Sequence, residues 1–213
     1  MKLKSVFFSL VALMYATMVY AQEPAEIKLV SPDKTRGTAV MKALSDRHSE
    51  RAFEDKKLSD QDLSDLLWAA NGINRPDGKR TAPSASNKQE IDLYVILAEG
   101  AYLYNAKTHS LQGIAQGDLR PLVAGGQAFV KSASVCIVLV ADYTRSGGTS
   151  AGNKQTAAVD AGLICQNINI FCAATGLATV PRSSMQKAEL SKALKLKDTQ
   201  EAIINNPVGY PKK

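Results

Sequence analysis

Histidine and tryptophan are nearly missing from this chain, at two and one among 213 residues, and cysteine occurs only three times. Two histidines offer no metal-ligand spacing, which excludes a zinc site. Three thiols cannot all pair within one chain. Cys136, Cys165 and Cys172 each sit in an apolar run, so they read as buried free thiols acting as small hydrophobes. Cys165 and Cys172 are spaced for one helix face, which suits core packing better than a bridge. Glycine (14) and proline (8) are too few for a low-complexity chain. There is no internal repeat and no Pro/Gly/Ser linker that would divide domains. Aromatic residues make up 6%, so the core must be built from Leu, Ile, Val and Ala. The net charge is +6, from 26 cations against 20 anions. That mild basic bias suits a phosphorylated small molecule and excludes a dedicated nucleic-acid binder. What remains is one ordinary globular domain.

The first 21 residues stand apart. Lys2 and Lys4 precede an apolar stretch running from Val6 to Tyr20, and Val19-Tyr20-Ala21 supplies the small-residue pattern before a cut. The expectation is a cleaved secretory signal over 1–21, with Gln22 as the new N-terminus. The apolar run is short against the roughly 20 residues of a membrane span. No cysteine stands at the cut, so no stable lipid anchor is expected. The mature domain, 22–213, is expected to be exported and periplasmic.

Downstream the pattern mixes helix and strand. Residues 37–47 read as a helix. Leu58-Ser59-Asp60-Gln61-Asp62-Leu63 is a helix start, with Ser59 as N-cap, Asp62 near the positive end of the dipole, and Leu58 and Leu63 as a hydrophobic staple. Leu63, Leu66, Leu67 and Ala70 mark its buried stripe and Gly72 its stop. Residues 71–87 form a polar, turn-rich loop of a length that is usually functional or disordered. Residues 91–97 and 101–105 read as a hairpin turning at Glu99-Gly100. A helix is expected over 119–130 despite Gly125-Gly126. Residues 135–140 form a continuous apolar run, the mark of a central strand with both faces covered. After a Gly-rich loop (146–152), a helix from Gln155 to Thr175 is apolar over a broad arc, as in a central or interface helix. A shorter helix (187–196) and a strand (201–208) complete the chain. Helices on a mixed sheet is the expected architecture.

Three segments could carry chemistry. Arg47-His48-Ser49-Glu50-Arg51 gathers two guanidiniums, an imidazole and a hydroxyl, the donors that match phosphate oxygens. By itself it is also what a solvated charged turn looks like. Ser84-Ala85-Ser86-Asn87 offers hydroxyls and an amide to a heterocycle edge, or is a plain polar loop. Val180-Pro181-Arg182-Ser183 follows the long helix and is a weaker signal.

Their order along the chain is more specific. The Arg-His-Ser-x-Arg block, then Phe53, then Trp68-Ala69-Ala70-Asn71-Gly72, then Arg80 to Asn87 resembles the FMN-dependent nitroreductase family. The nearest likeness is to the compact branch that contains dehydrogenases of peptide-heterocycle biosynthesis. Asp160-Ala161-Gly162, Gln166-Asn167, Ala174 to Leu177 and the terminal Val208 to Lys213 fit it too.

The resemblance implies an α+β fold, an α/β/α sandwich forming an intertwined homodimer with FMN at the subunit interface. It implies that Arg47, His48, Ser49 and Arg51 hold the phosphate and flavin edge, with Lys212 joining the phosphate. Ser84 and Asn87 would approach the ring, from the partner subunit in one arrangement. The backbone around Pro181, Arg182 and Ser183 would reach flavin N5. Hydride would pass to N5 and then to a nitro compound, quinone or similar acceptor in two half-reactions, with no side-chain acid or base. Two departures bear on this. A Lys-x-Arg phosphate contact of longer relatives is not expected after Lys213, and Arg182-Ser183 stands where many relatives carry an acidic residue or glycine. Export would also separate the protein from cytoplasmic NAD(P)H, so the donor is left open. The alternative is a non-enzymatic exported protein on the same fold that holds a flavin or another small anion.

Overall fold

The capping chemistry around Ser59 sets the first long helix. In the computed structural model, which describes residues 23–212, Ser59 Oγ accepts the Asp62 N–H at 3.0 Å. The segment 1–21 lies outside the described residues. Before that cap come a two-residue strand, β1 (Ile27–Lys28), and helix α1 (Val40–Asp46). Helix α2 (Asp60–Asn71) then runs to Gly72 as its stripe of leucines requires. A single 3-10 turn, Ala85–Asn87, leads into β2 (Ile91–Ile96), β3 (Gly100–Asn105) and β4 (Ser110–Gln116). Helix α3 (Arg120–Ala124) and a second 3-10 turn (Ala128–Ser132) precede β5 (Val135–Asp142). Helix α4 (Ala151–Thr175), β6 (Ala178–Thr179), helix α5 (Lys187–Ala193) and β7 (Gln200–Gly209) follow.

The strands form one sheet in the order β1-β4-β3-β2-β5-β7-β6. Every pairing in it is antiparallel, where a mixed sheet was expected. The α+β class holds. The apolar run of β5 reports two covered faces, and that is a statement about layers, not about strand direction. Val135, Ile137 and Leu139 point into the core under α2 and α4. Cys136, Val138 and Val140 alternate into a second core under α3 and α5. The result is the three-layer α/β/α arrangement. All three cysteines are free and buried, and burial pushes the Cys136 thiol up to about 12.

One helix departs from expectation. The segment 119–130 does not run through: α3 ends at Ala124 because Gly125 turns left-handed, at φ 54°. Any Cβ at Gly125 would meet the Met185 backbone at 2.9 Å, so the close approach of the α5 entry loop requires glycine there.

Candidate functional site

Helix α1 ends where Arg47 leaves helical geometry, its N–H donating to Ala43 O at 2.9 Å. The chain then runs extended along the edge of the molecule. Glu50 N–H donates to Thr179 O at 2.9 Å, Glu54 N–H to Tyr210 O at 2.9 Å, and Lys212 N–H to Ala52 O at 3.0 Å. Phe53 bridges Pro211. The Arg47–Arg51 block, β6 and the terminal Tyr210–Lys212 are thereby stitched into one neighbourhood.

Side chains alternate along an extended segment, and the block divides accordingly. His48 and Glu50 line a cleft of 240 Å³ with Asp46, Asn169, Cys172 and Thr179. The His48 ring is held by its own turn: Nδ1 lies 2.8 Å from Asp46 O, and Nε2 lies 3.7 Å from the Glu50 carboxylate. Glu50 Oε1 in turn accepts the N–H groups of Arg51 and Ala52 at 2.7 and 2.9 Å. Those bonds hold its carboxyl below the usual range. Arg47, Ser49 and Arg51 share the alternate positions. Among the described residues, neither guanidinium nor the nearby Lys212 ammonium has an acidic partner. Two guanidiniums and a hydroxyl at alternate positions, with Lys212 joined to the same segment through its backbone, make a donor set that fits a phosphate dianion.

Arg182 sits differently from expectation. It is 6% exposed. Its guanidinium donates to Val123 O, Ala124 O, Gln127 Oε1 and Asn205 Oδ1 at 2.7–3.0 Å. Its backbone N–H donates to Asn205 O at 2.8 Å, and its carbonyl accepts the Asn205 N–H at 2.7 Å. Arg182 is thus a scaffold residue that ties the C-terminal end of α3 to β7. Pro181 has no N–H to give. Of the expected trio, Ser183 is exposed, and its N–H is unbonded among the described residues.

Beneath the cleft lies a buried amide network that the sequence reading missed. Asn206 Nδ2 donates to Asn169 Oδ1 at 3.1 Å and Thr179 Oγ1 at 3.2 Å, while Cys165 Sγ donates to Asn206 Oδ1 at 3.1 Å. The available signal was Asn169 itself, an amide between Ile168 and Ile170 in an apolar arc.

Ser84 and Asn87 are elsewhere. Ala85 N–H donates to Asp160 Oδ2 at 2.9 Å, near the N-terminal half of α4. The cleft touches Asn169, Cys172 and Gly176 at that helix's other end. Asp160 and Cys172 are about 18 Å apart at the helical rise. One copy of the chain does not bring the two groups together.

A model of the nitroreductase family matches residues 44–210. A crystal structure from Ralstonia eutropha JMP134, provisionally assigned as a nitroreductase, is 34% identical, with a TM-score of 0.83 over 91% of this chain and 92% of that one. A Methanocaldococcus jannaschii protein with a provisional nitroreductase assignment is 27% identical over 173 residues, 76% of this chain and 86% of its own length. The NADPH:FMN oxidoreductase of Vibrio harveyi, solved with NAD+, shares the fold at a TM-score of 0.63 and 19% identity, over 82% of this chain and 69% of that one.

Proposed function

The chain belongs to the nitroreductase family and has an oxidoreductase role, and from that premise we propose that it is an exported, FMN-dependent enzyme working as a homodimer. The chemistry FMN supplies when bound is two-electron transfer in two half-reactions, ending on a nitro-aromatic, quinone or similar acceptor. NAD(P)H is one candidate donor. The chain's own residues then have separate tasks. Arg47, Ser49, Arg51 and Lys212 neutralise and hold the phosphate. The Ser183 N–H donates to the flavin edge. No side chain is asked to act as an acid or base. Export is supported by the Lys2-to-Ala21 pattern.

The single observation that carries the reading is the row of cations without acidic partners, stitched to β6 and the terminal segment. The two-copy site has its own support. Helix α4 exposes Val159 and Leu163, at 59% and 40%, and α1 exposes Val40, Met41 and Leu44. Such large apolar groups on a mature surface mark a contact face. Antiparallel packing of α4 on its copy runs the N-terminal half of one protomer's helix alongside the C-terminal half of the other's. That arrangement carries the Ser84–Asn87 loop to the partner's cationic edge.

The test is purification of the mature chain and its visible spectrum with and without added FMN, followed by anaerobic addition of NADPH and then a quinone. A flavin spectrum that bleaches with donor and returns with quinone is expected. A protein that stays colourless with FMN overturns the proposal. FMN that binds but is never reduced points to the binding-only alternative.

A further inference from the structure

Glu90 has no exposed surface, and neither carboxyl oxygen has a hydrogen-bond partner among the described residues. It joins the Ala85–Asn87 turn to β2. Its backbone is firmly held, for its carbonyl accepts the Asp142 N–H at 2.8 Å and Arg145 Nη2 at 3.0 Å. A buried carboxylate without donors is costly. Burial therefore pushes Glu90 above the usual carboxyl range, and the Asp160 carboxylate pushes it further. Arg145 opposes this weakly, its guanidinium being engaged by Asp92 at 2.6 Å with Asp142 at 3.9 Å. The other cations of this segment have partners of their own: Arg80 Nε donates to Gln89 Oε1, and Lys88 Nζ to Ser146 O.

The loop that Glu90 closes is strained. Ser86, Asn87 and Gln89 all have left-handed backbones, at φ 52°, 55° and 50°. Three non-glycine residues in that region within four positions need outside anchors. The Asp160 bond to the Ala85 N–H is one of them.

We infer that Glu90 is a positioning residue that works in its protonated form. Its neutral carboxyl lets Asp160 keep hold of Ala85, and loss of the proton sets two carboxylates against each other and frees the Ser84–Gln89 loop. The inference rests on the proposed reading in which this loop completes a flavin site across two copies. Between the ordinary carboxyl value and the raised folded one, the folded chain binds the proton that the unfolded chain has lost. Stability therefore falls as pH rises across that window.

Glu90→Gln is neutral at every pH and close in shape. In the protein without FMN, exchange of the loop amides is expected to match in both proteins at the acid end of a pH series and to run about tenfold faster in the wild type at its alkaline end. In FMN titrations, the wild-type Kd should rise about tenfold over the same span while that of Glu90→Gln stays flat. Equal loop exchange in both proteins at both pH values overturns the inference. A difference in exchange with no FMN binding supports it while overturning the flavin reading. Asp160→Asn removes the opposing charge and should also flatten the profile, and a full pH dependence surviving in both variants overturns it.

Discussion

Arg47 and Glu50 lie three positions apart and do opposite work. The Glu50 carboxylate is satisfied by two backbone N–H groups of its own turn, whereas the Arg47 guanidinium has no acidic partner among the described residues. Charge-assisted contacts to a doubly charged phosphate are worth about 1.5–3 kcal/mol. Arg47→Ala should therefore weaken FMN binding by about 2 kcal/mol, or about thirtyfold, read by fluorescence titration. Unchanged affinity would put the phosphate elsewhere. Residue types were legible in the sequence, as the arginine pair shows. Residue orientation was not, as two positions make plain. His48 turns onto Asp46 because its own turn supplies the acceptor, and Arg182 disappears beneath α3 because acceptors distant in the chain meet it there.

At the scale of elements, the Ser59 cap shows local chemistry deciding structure. Its hydroxyl satisfies an amide that the helix leaves open, and removal of such a cap costs about 1 kcal/mol. Ser59→Ala should lower the free energy of unfolding by that amount, read as a lower denaturant midpoint with an unchanged slope, and an unchanged midpoint would mean that α2 is held by packing alone. Helix α4 and the hairpin of β2 and β3 were equally legible, through period and turn residues. The strands β4 and β6 were not, since Ser110–Gln116 alternates poorly and Ala178–Thr179 is only two residues long. The break after α3 was misjudged for a related reason. Gly125 is tolerable in an isolated helix at a cost of about 1 kcal/mol, and only the Met185 backbone packed against it makes the break compulsory.

For the whole molecule, the decisive geometry is the separation of the Ser84–Asn87 loop from the cationic edge along α4. If two copies pack through that helix, Leu163→Glu should yield a folded monomer in sedimentation and lose FMN binding with it. A dimer that persists would refute the packing. Sequence by itself determined the central strand with both faces covered, the Ser59 cap, the buried thiols and the cationic block, because these follow from local periodicity and side-chain chemistry. Only the tertiary structure decided that the described strands all pair antiparallel, that Arg182 braces the scaffold, and that Glu90 is sealed with no partner among the described residues. Each of those depends on which distant segments meet, and no local pattern in the chain encodes that.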